Sequence, residues 1–218
     1  LYVFTALASE SIPPNEGLIR PLRIDAPEGS VVNALFPAAV AGGNVETSQR
    51  IVDVLLRALA AAAPDRIPAA SSGSMSNVAL GGVAAGRSFA YYETIAGGAG
   101  GGPDGPGSSG VHTHMTNTLN TPIEALEAYY PLRVHRYALR PRSGGRGRNS
   151  GGAGIVREIE FLTPSTVTLL AERRRSRPYG LRGGGPGAAG ADYLVHDGRA
   201  RRLASKVTLE VEAGDRLR

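Results

Sequence analysis

The stretch Lys206-Val207-Thr208-Leu209-Glu210-Val211-Glu212 places Val207, Leu209 and Val211 on one side of an extended chain and its polar residues on the other. A period of two is the mark of a half-buried β-strand. Just upstream, His196-Asp197-Gly198 reads as the turn of a hairpin leading into this strand. Further strands are expected at 133–139, 155–162 and 166–172, and the aromatic segment 87–95 reads as another. Residues 12–45 look extended and turn-rich, with breakers at Pro13-Pro14-Asn15 and Pro27-Glu28-Gly29.

Two helices interrupt this pattern. Over 46–63, Ile51, Val54, Leu55, Ala58, Leu59 and Ala62 recur at helical spacing, which predicts one apolar, inward-facing stripe, ended by Pro64. A short helix is expected at 121–130, with Thr121 as N-cap, Pro122 at the first helical position and Glu124 as capping-box acid. Gly and Pro supply 30 and 15 of the 218 residues, which suits short strands joined by tight turns. The expected class is α+β, mainly β with few helices and long glycine-rich loops, without an internal repeat. A sub-boundary is placed near 97–105.

The net charge of +5 is unevenly spread. Residues 1–132 hold 6 Arg against 11 Asp and Glu, while residues 133–218 hold 18 Lys and Arg against 8 Asp and Glu. A basic half suits nucleic acid, an anionic substrate or an acidic partner. Only Lys206 among the basic residues is lysine, and few aromatics interleave the Arg/Gly stretch, which counts against a nucleic-acid module. There is no cysteine, so no disulfide framework or thiolate metal site, and this is compatible with a cytoplasmic location. No apolar run approaches the ~18 residues of a membrane span. The chain opens at Leu1 without an initiator Met and reads as a piece of a longer polypeptide.

Three segments carry candidate chemistry. The run Gly97-Gly98-Ala99-Gly100-Gly101-Gly102 reads either as a flexible linker or as backbone that approaches a ligand closely. In the segment from His112 to Glu124, an extended chain would put His112, His114 and Thr116 on one face. Such a pair could move a proton, polarise a carbonyl, bind a metal or simply hydrogen-bond on a strand. Asn117 and Asn120 could orient an amide or satisfy loop backbone. Glu124 and Glu127, three apart on the short helix, are open to capping, solvent exposure, a general-base role or a salt bridge to the Arg-rich segment. Around Ser143-Gly144-Gly145-Arg146, glycine backbone and arginine can accept an anion, although the Gly-Lys-Ser/Thr ending of a phosphate-binding loop is absent. No nucleophile elbow of a serine hydrolase is found.

In combination these motifs resemble the hydantoinase B / 5-oxoprolinase family. The order begins with Pro14-Asn15-Glu16-Gly17-Leu18-Ile19-Arg20-Pro21, Ala26-Pro27-Glu28-Gly29-Ser30 and Asn33-Ala34. It continues through the glycine run to Asp104-Gly105, the segment His112 to Glu124, Tyr130-Pro131 and Ser143-Gly144-Gly145 with Gly151-Gly152-Ala153-Gly154. It ends with Arg173, Pro178-Tyr179-Gly180-Leu181 and Ser205-Lys206. The chain departs from the family pattern at Ser150, where Arg-Gly-Gly is usual, and at Arg142, where an acid often stands.

The resemblance implies the C-terminal half of a B-type subunit, inactive by itself, in an ATP-dependent enzyme that opens hydantoin or 5-oxoproline rings. ATP and Mg2+ would be handled by an A-type partner subunit, and a divalent metal would sit in the family's N-terminal half. Position and chemistry lead us to expect proton transfer or carbonyl polarisation from His112 and His114, support from Glu124, and substrate orientation from Asn117 and Asn120. The anion wall would be Ser143, Gly144, Gly145 and Arg146. An acetone or acetophenone carboxylase subunit is the alternative within the same family.

Overall fold

In the computed structural model of the chain, which describes residues 1–8, 12–13 and 15–218, the alternating stretch is the strand β8. Pro14, one of the expected breakers, lies outside the described residues. Nine strands occur among them: β1 Asn77–Ala84, β2 Arg87–Thr94, β3 Leu132–Leu139, β4 Ile155–Phe161, β5 Ser165–Leu170, β6 Tyr193–His196, β7 Arg199–Arg202, β8 Lys206–Val211 and β9 Arg216–Leu217. They form two sheets, ordered β2-β1-β5-β8 and β3-β4-β9-β6-β7. Every pairing is antiparallel. With α1 Tyr2–Leu7, α2 Ser48–Leu59 and α3 Ile123–Tyr129 as the α-helices, the chain is the expected mainly-β α+β fold.

The sheets share one core. Leu80, Tyr91, Val167 and Val211 come from the first, Ile159, Phe161, Leu194 and Leu217 from the second, and α3 adds Leu126. Alternation in β8 works as read: Val211 is buried, Val207 and Leu209 are half-buried, and the polar residues between them are exposed. On its outer face the hydroxyls of Thr208 and Thr168 meet at 2.9 Å across the register with β5. The hairpin at His196-Asp197-Gly198 also forms, with positive φ at Asp197 and Gly198 as a two-residue turn between right-twisted strands requires. It joins β6 to β7, however, and β8 lies in the other sheet. The chain crosses between sheets at buried Leu203, just before Ser205 accepts from the Ala171 amide.

Helix α2 reverses the expected burial. It is entered through a π-helical turn, Gly43–Thr47, and its buried residues are Gln49, Val52, Asp53 and Leu56. Ile51, Val54 and Leu55 are exposed, Val54 at 67%. The inner face is held by polar partners: Asp53 pairs with Arg173 from beyond β5, and Gln49 bonds Thr116. Leaving that carboxylate unpaired inside would be more expensive than leaving a Val and two aliphatic side chains in water. The capping expected of Thr121 is also replaced. Pro122 stands at the N-cap, the Thr121 amide donates to Glu93, and its hydroxyl accepts from Tyr91.

The glycine-rich segments pack main chain against main chain. Ser72 N donates to Gly98 O, Ala99 N to Ser108 O, Gly152 N to Ala99 O, and Ala188 N to Ser143 O, each at 2.8–2.9 Å. At Gly144 an added Cβ would collide with the Gly151 carbonyl, and at Gly100 with that of Ala69, so only glycine permits these approaches. The run at 97–102 is thus hydrogen-bonded on both sides, where a linker would be solvated.

Candidate functional site

Segment 112–121 lies across one end of the β1–β2 pair and against α2, and its two histidines part there. His114 has φ of +59°, which breaks the extended alternation expected to put both imidazoles on one face. His112 Nε2 meets the Thr118 hydroxyl at 3.3 Å, and Thr118 meets Thr94 at 2.9 Å. His114 instead has Nδ1 3.1 Å from the Tyr2 hydroxyl and Nε2 3.7 Å from Asp53 Oδ1. Burial lowers the pKa of both. The charge of Glu93 opposes this at His112, whereas that of Arg50 reinforces it at His114. Thr116 is buried against Gln49, and Asn117 is exposed. Asn120 uses both ends of its amide within the chain, donating to Thr94 O and accepting from Tyr137, each at 2.7 Å. Glu124 is exposed on the first turn of α3, while Glu127 accepts from the Val134 amide.

The inner face of the π-turn and α2 supplies residues that the sequence reading passed over. Glu46 is 3% exposed. Its Oε1 accepts from Ser74 Oγ, Met75 N and Asn77 Nδ2, each at 3.1 Å, and its Oε2 has no partner among the described residues. Burial pushes this carboxyl up to about 7, against the opposing hydrogen bonds from Ser74 and Met75. One turn on, Gln49 Nε2 donates to Thr116 Oγ1 at 2.7 Å and to Thr113 O. Asp53 follows, with Oδ2 held by Arg50 and by Arg173 Nη2 at 2.6 Å. A polar stripe at i, i+3 and i+7 is the signal that could have revealed them.

A second buried ion pair joins Glu93 to Arg157, whose guanidinium stacks 5.1 Å from the Tyr137 ring centroid. Beyond it opens a cavity of about 720 Å³, walled by the glycine-rich segments and by Ser143, Gly144, Gly145 and Arg146. Ser143 Oγ donates to Arg140 O and accepts from Gly154 N, which fixes this loop. Arg140, Arg157, Arg173 and Arg174 also line the cavity. Arg174 is clamped by both oxygens of Asp192 at 2.7 Å. The wall is cationic overall, with glycine amides between the arginines. Among the described residues no group of three His, Asp or Glu side chains is placed to hold a metal ion.

The sequence matches the family Hydantoinase B/oxoprolinase over residues 1–218. The chain belongs to that family. It is 46% identical over 216 residues to 5-oxoprolinase 1 of Arabidopsis thaliana, covering 99% of this chain but 16% of that protein. The ATP-dependent caprolactamase of Pseudomonas jessenii has the same fold, with a TM-score of 0.80 at 24% identity over 99% of this chain and 40% of its own. An acetone carboxylase that acts in ATP-dependent acetone carboxylation is more distant, with a TM-score of 0.60 at 20% identity over 70% of this chain and 25% of its own.

Proposed function

We propose that residues 1–218 form the C-terminal portion of a B-type subunit in an ATP-dependent enzyme that opens cyclic amides such as hydantoins or 5-oxoproline. The carrying observation is the arginine-lined, glycine-walled cavity, whose size suits a small ring bearing negative charge. An amide oxygen is a poor leaving group until it is phosphorylated, and phosphorylation makes the ring anionic. Arginine and oriented backbone amides favour that species. In this reading an A-type partner binds ATP and Mg2+, and the N-terminal half of the B-type subunit holds any divalent metal. The isolated chain is inactive in this reading.

Within the chain, Ser143, Gly144, Gly145 and Arg146 bound the anion, while Asn117 and Asn120, outside the cavity lining, orient the substrate with Glu124 supporting them. His112 and His114, kept neutral near pH 7 by burial, are in the form that accepts a proton. Among the described residues no helix is long and apolar enough to cross a membrane; a cytoplasmic setting is proposed on the use of ATP.

The test is ADP and product formation by the reconstituted complex given hydantoin, 5-oxoproline, or acetone with bicarbonate. Ring-opened product is expected. Product from the ketone alone would overturn the reading in favour of a carboxylase.

A further inference from the structure

We propose that residues 29–45 form an arm that docks onto an apolar surface of the remainder of the B-type polypeptide. The inference rests on reading residues 1–218 as a portion of such a subunit. From Gly29 to Val45 no residue is charged, and the stretch is bounded by Glu28 and Glu46. Segments that stay in water are rich in charge and poor in large apolar residues. This one has the opposite composition, yet residues 31–41 are exposed without exception. Phe36 is 99% exposed, Val31 78%, and Ile24, just before the arm, 76%.

The arm is shaped but not packed. Gly29 N donates to Asn33 O at 2.9 Å, Asn33 Nδ2 to Ala26 O at 2.8 Å, and Ala38 N to Leu35 O at 2.9 Å. Gly29 has φ of +76°, the left-handed turn on which the loop closes. Among the described residues, every hydrogen bond of 24–39 closes within that segment. None of its side chains joins the core between the sheets, or the smaller cluster of Val3, Val52, Leu56 and Ile67. Local turns thus fix a loop whose large apolar side chains have no cover in this chain. The arm runs directly into the π-helical turn and α2, where Ile51, Val54 and Leu55 are exposed as well, so the uncovered surface continues along the chain.

The lack of charge identifies the occupant. Contacts that form and break keep a surface about as polar as the rest of the protein, whereas permanent ones lose charge from their centre. An apolar patch left open for part of the time invites indiscriminate association. The partner present from the moment of folding is the rest of the same polypeptide. The matched portion is 16% of the plant 5-oxoprolinase and 40% of the caprolactamase chain, so in each more polypeptide lies outside it than within. With no charge on the arm to pair, the surface that receives it is apolar too, since a charge buried there would have no counter-ion.

Hydroxyl-radical footprinting of the 218-residue chain and of the full-length B-type polypeptide, each without an A-type subunit, tests the docking. In the chain, Phe36 should be oxidised at the rate of an open ring. In the full-length polypeptide that rate should fall by at least about tenfold, towards that of Phe161, which is buried at the core, as for a residue at the centre of an interface. An undiminished rate in the full-length monomer would overturn the proposal. So would protection that appears only on adding the A-type subunit, or only at concentrations where sedimentation shows a second copy bound. Phe36→Ser gives an independent reading. It should shift the melting temperature of the 218-residue chain by less than about 1 °C and lower that of the full-length polypeptide by about 3 °C or more. Equal shifts in the two would overturn the proposal. Neither readout uses turnover, so a complex silent on every cyclic amide would remove the hydrolase reading while Phe36 still decided the docking.

Discussion

Glu46→Gln isolates the cost of a buried carboxylate. The side chain is 3% exposed, one oxygen takes three donors, and the other takes none among the described residues. Its pKa rises from 4.5 to about 7 on folding because burial penalises the charge. The folded chain therefore keeps a proton that the unfolded chain releases. Its stabilising effect is complete below pH 4.5, declines as pH climbs from 4.5 to about 7, and is gone above that. At about 1.4 kcal/mol per pH unit, that shift penalises the ionised folded form by about 3 kcal/mol, most of which develops between pH 5 and pH 8. Glutamine keeps an oxygen for the three donors and carries no charge, so it escapes the penalty. The assay is urea unfolding of both proteins at pH 5, 6, 7 and 8, read as the difference between them at each pH, which cancels every other titrating group. The variant should gain about 2–3 kcal/mol on the natural chain across that range. A difference flat to within about 0.5 kcal/mol would refute the reasoning, because it would mean that the ionised carboxylate is satisfied inside the fold.

Two further outcomes follow from packing. Gly144→Ala should destabilise the chain by more than about 3 kcal/mol in the same urea assay, since main chain must move to clear the Gly151 carbonyl. Gly105→Ala, where a Cβ meets open space, should shift stability by no more than about 0.5 kcal/mol. On α2, Leu56→Ala should cost about 2–5 kcal/mol, and the neighbouring exposed Leu55→Ala less than about 1 kcal/mol. Equal losses at the two leucines would mean that the helix is rotated from the orientation described.

The strands were legible where side chains alternate. β8 and the segments at 87–95, 133–139, 155–162 and 166–172 each carry enough β-branched or aromatic residues to declare a period of two. β1 escaped because Ala79, Gly81, Gly82 and Ala84 leave it almost without side chains, and its place is set by close approach to Phe89 in β2. β9, at two residues, is too short for any period. For α2 the spacing was read correctly but the face was not. Apolar residues were assumed to face inward, whereas Asp53, Arg173 and Thr116, distant in sequence, decide the rotation. Attention to the apolar positions alone left Glu46, Gln49 and Asp53 unread. His112 and His114 were visible as residue types, yet the left-handed backbone at His114 that separates them leaves no trace in composition.

The glycine-walled cavity bears on how substrate range diverges. A wall of side chains is remodelled one residue at a time, but interlocked main chain resists change at glycines such as Gly98, Gly100, Gly101, Gly144 and Gly152. Variation is therefore channelled away from those glycines to lining positions that carry side chains, such as Arg140, Arg146, Arg148 and Asn149. A single rigid frame can thus be retuned from one ring to another by exchanging a handful of residues, without the frame itself being redesigned.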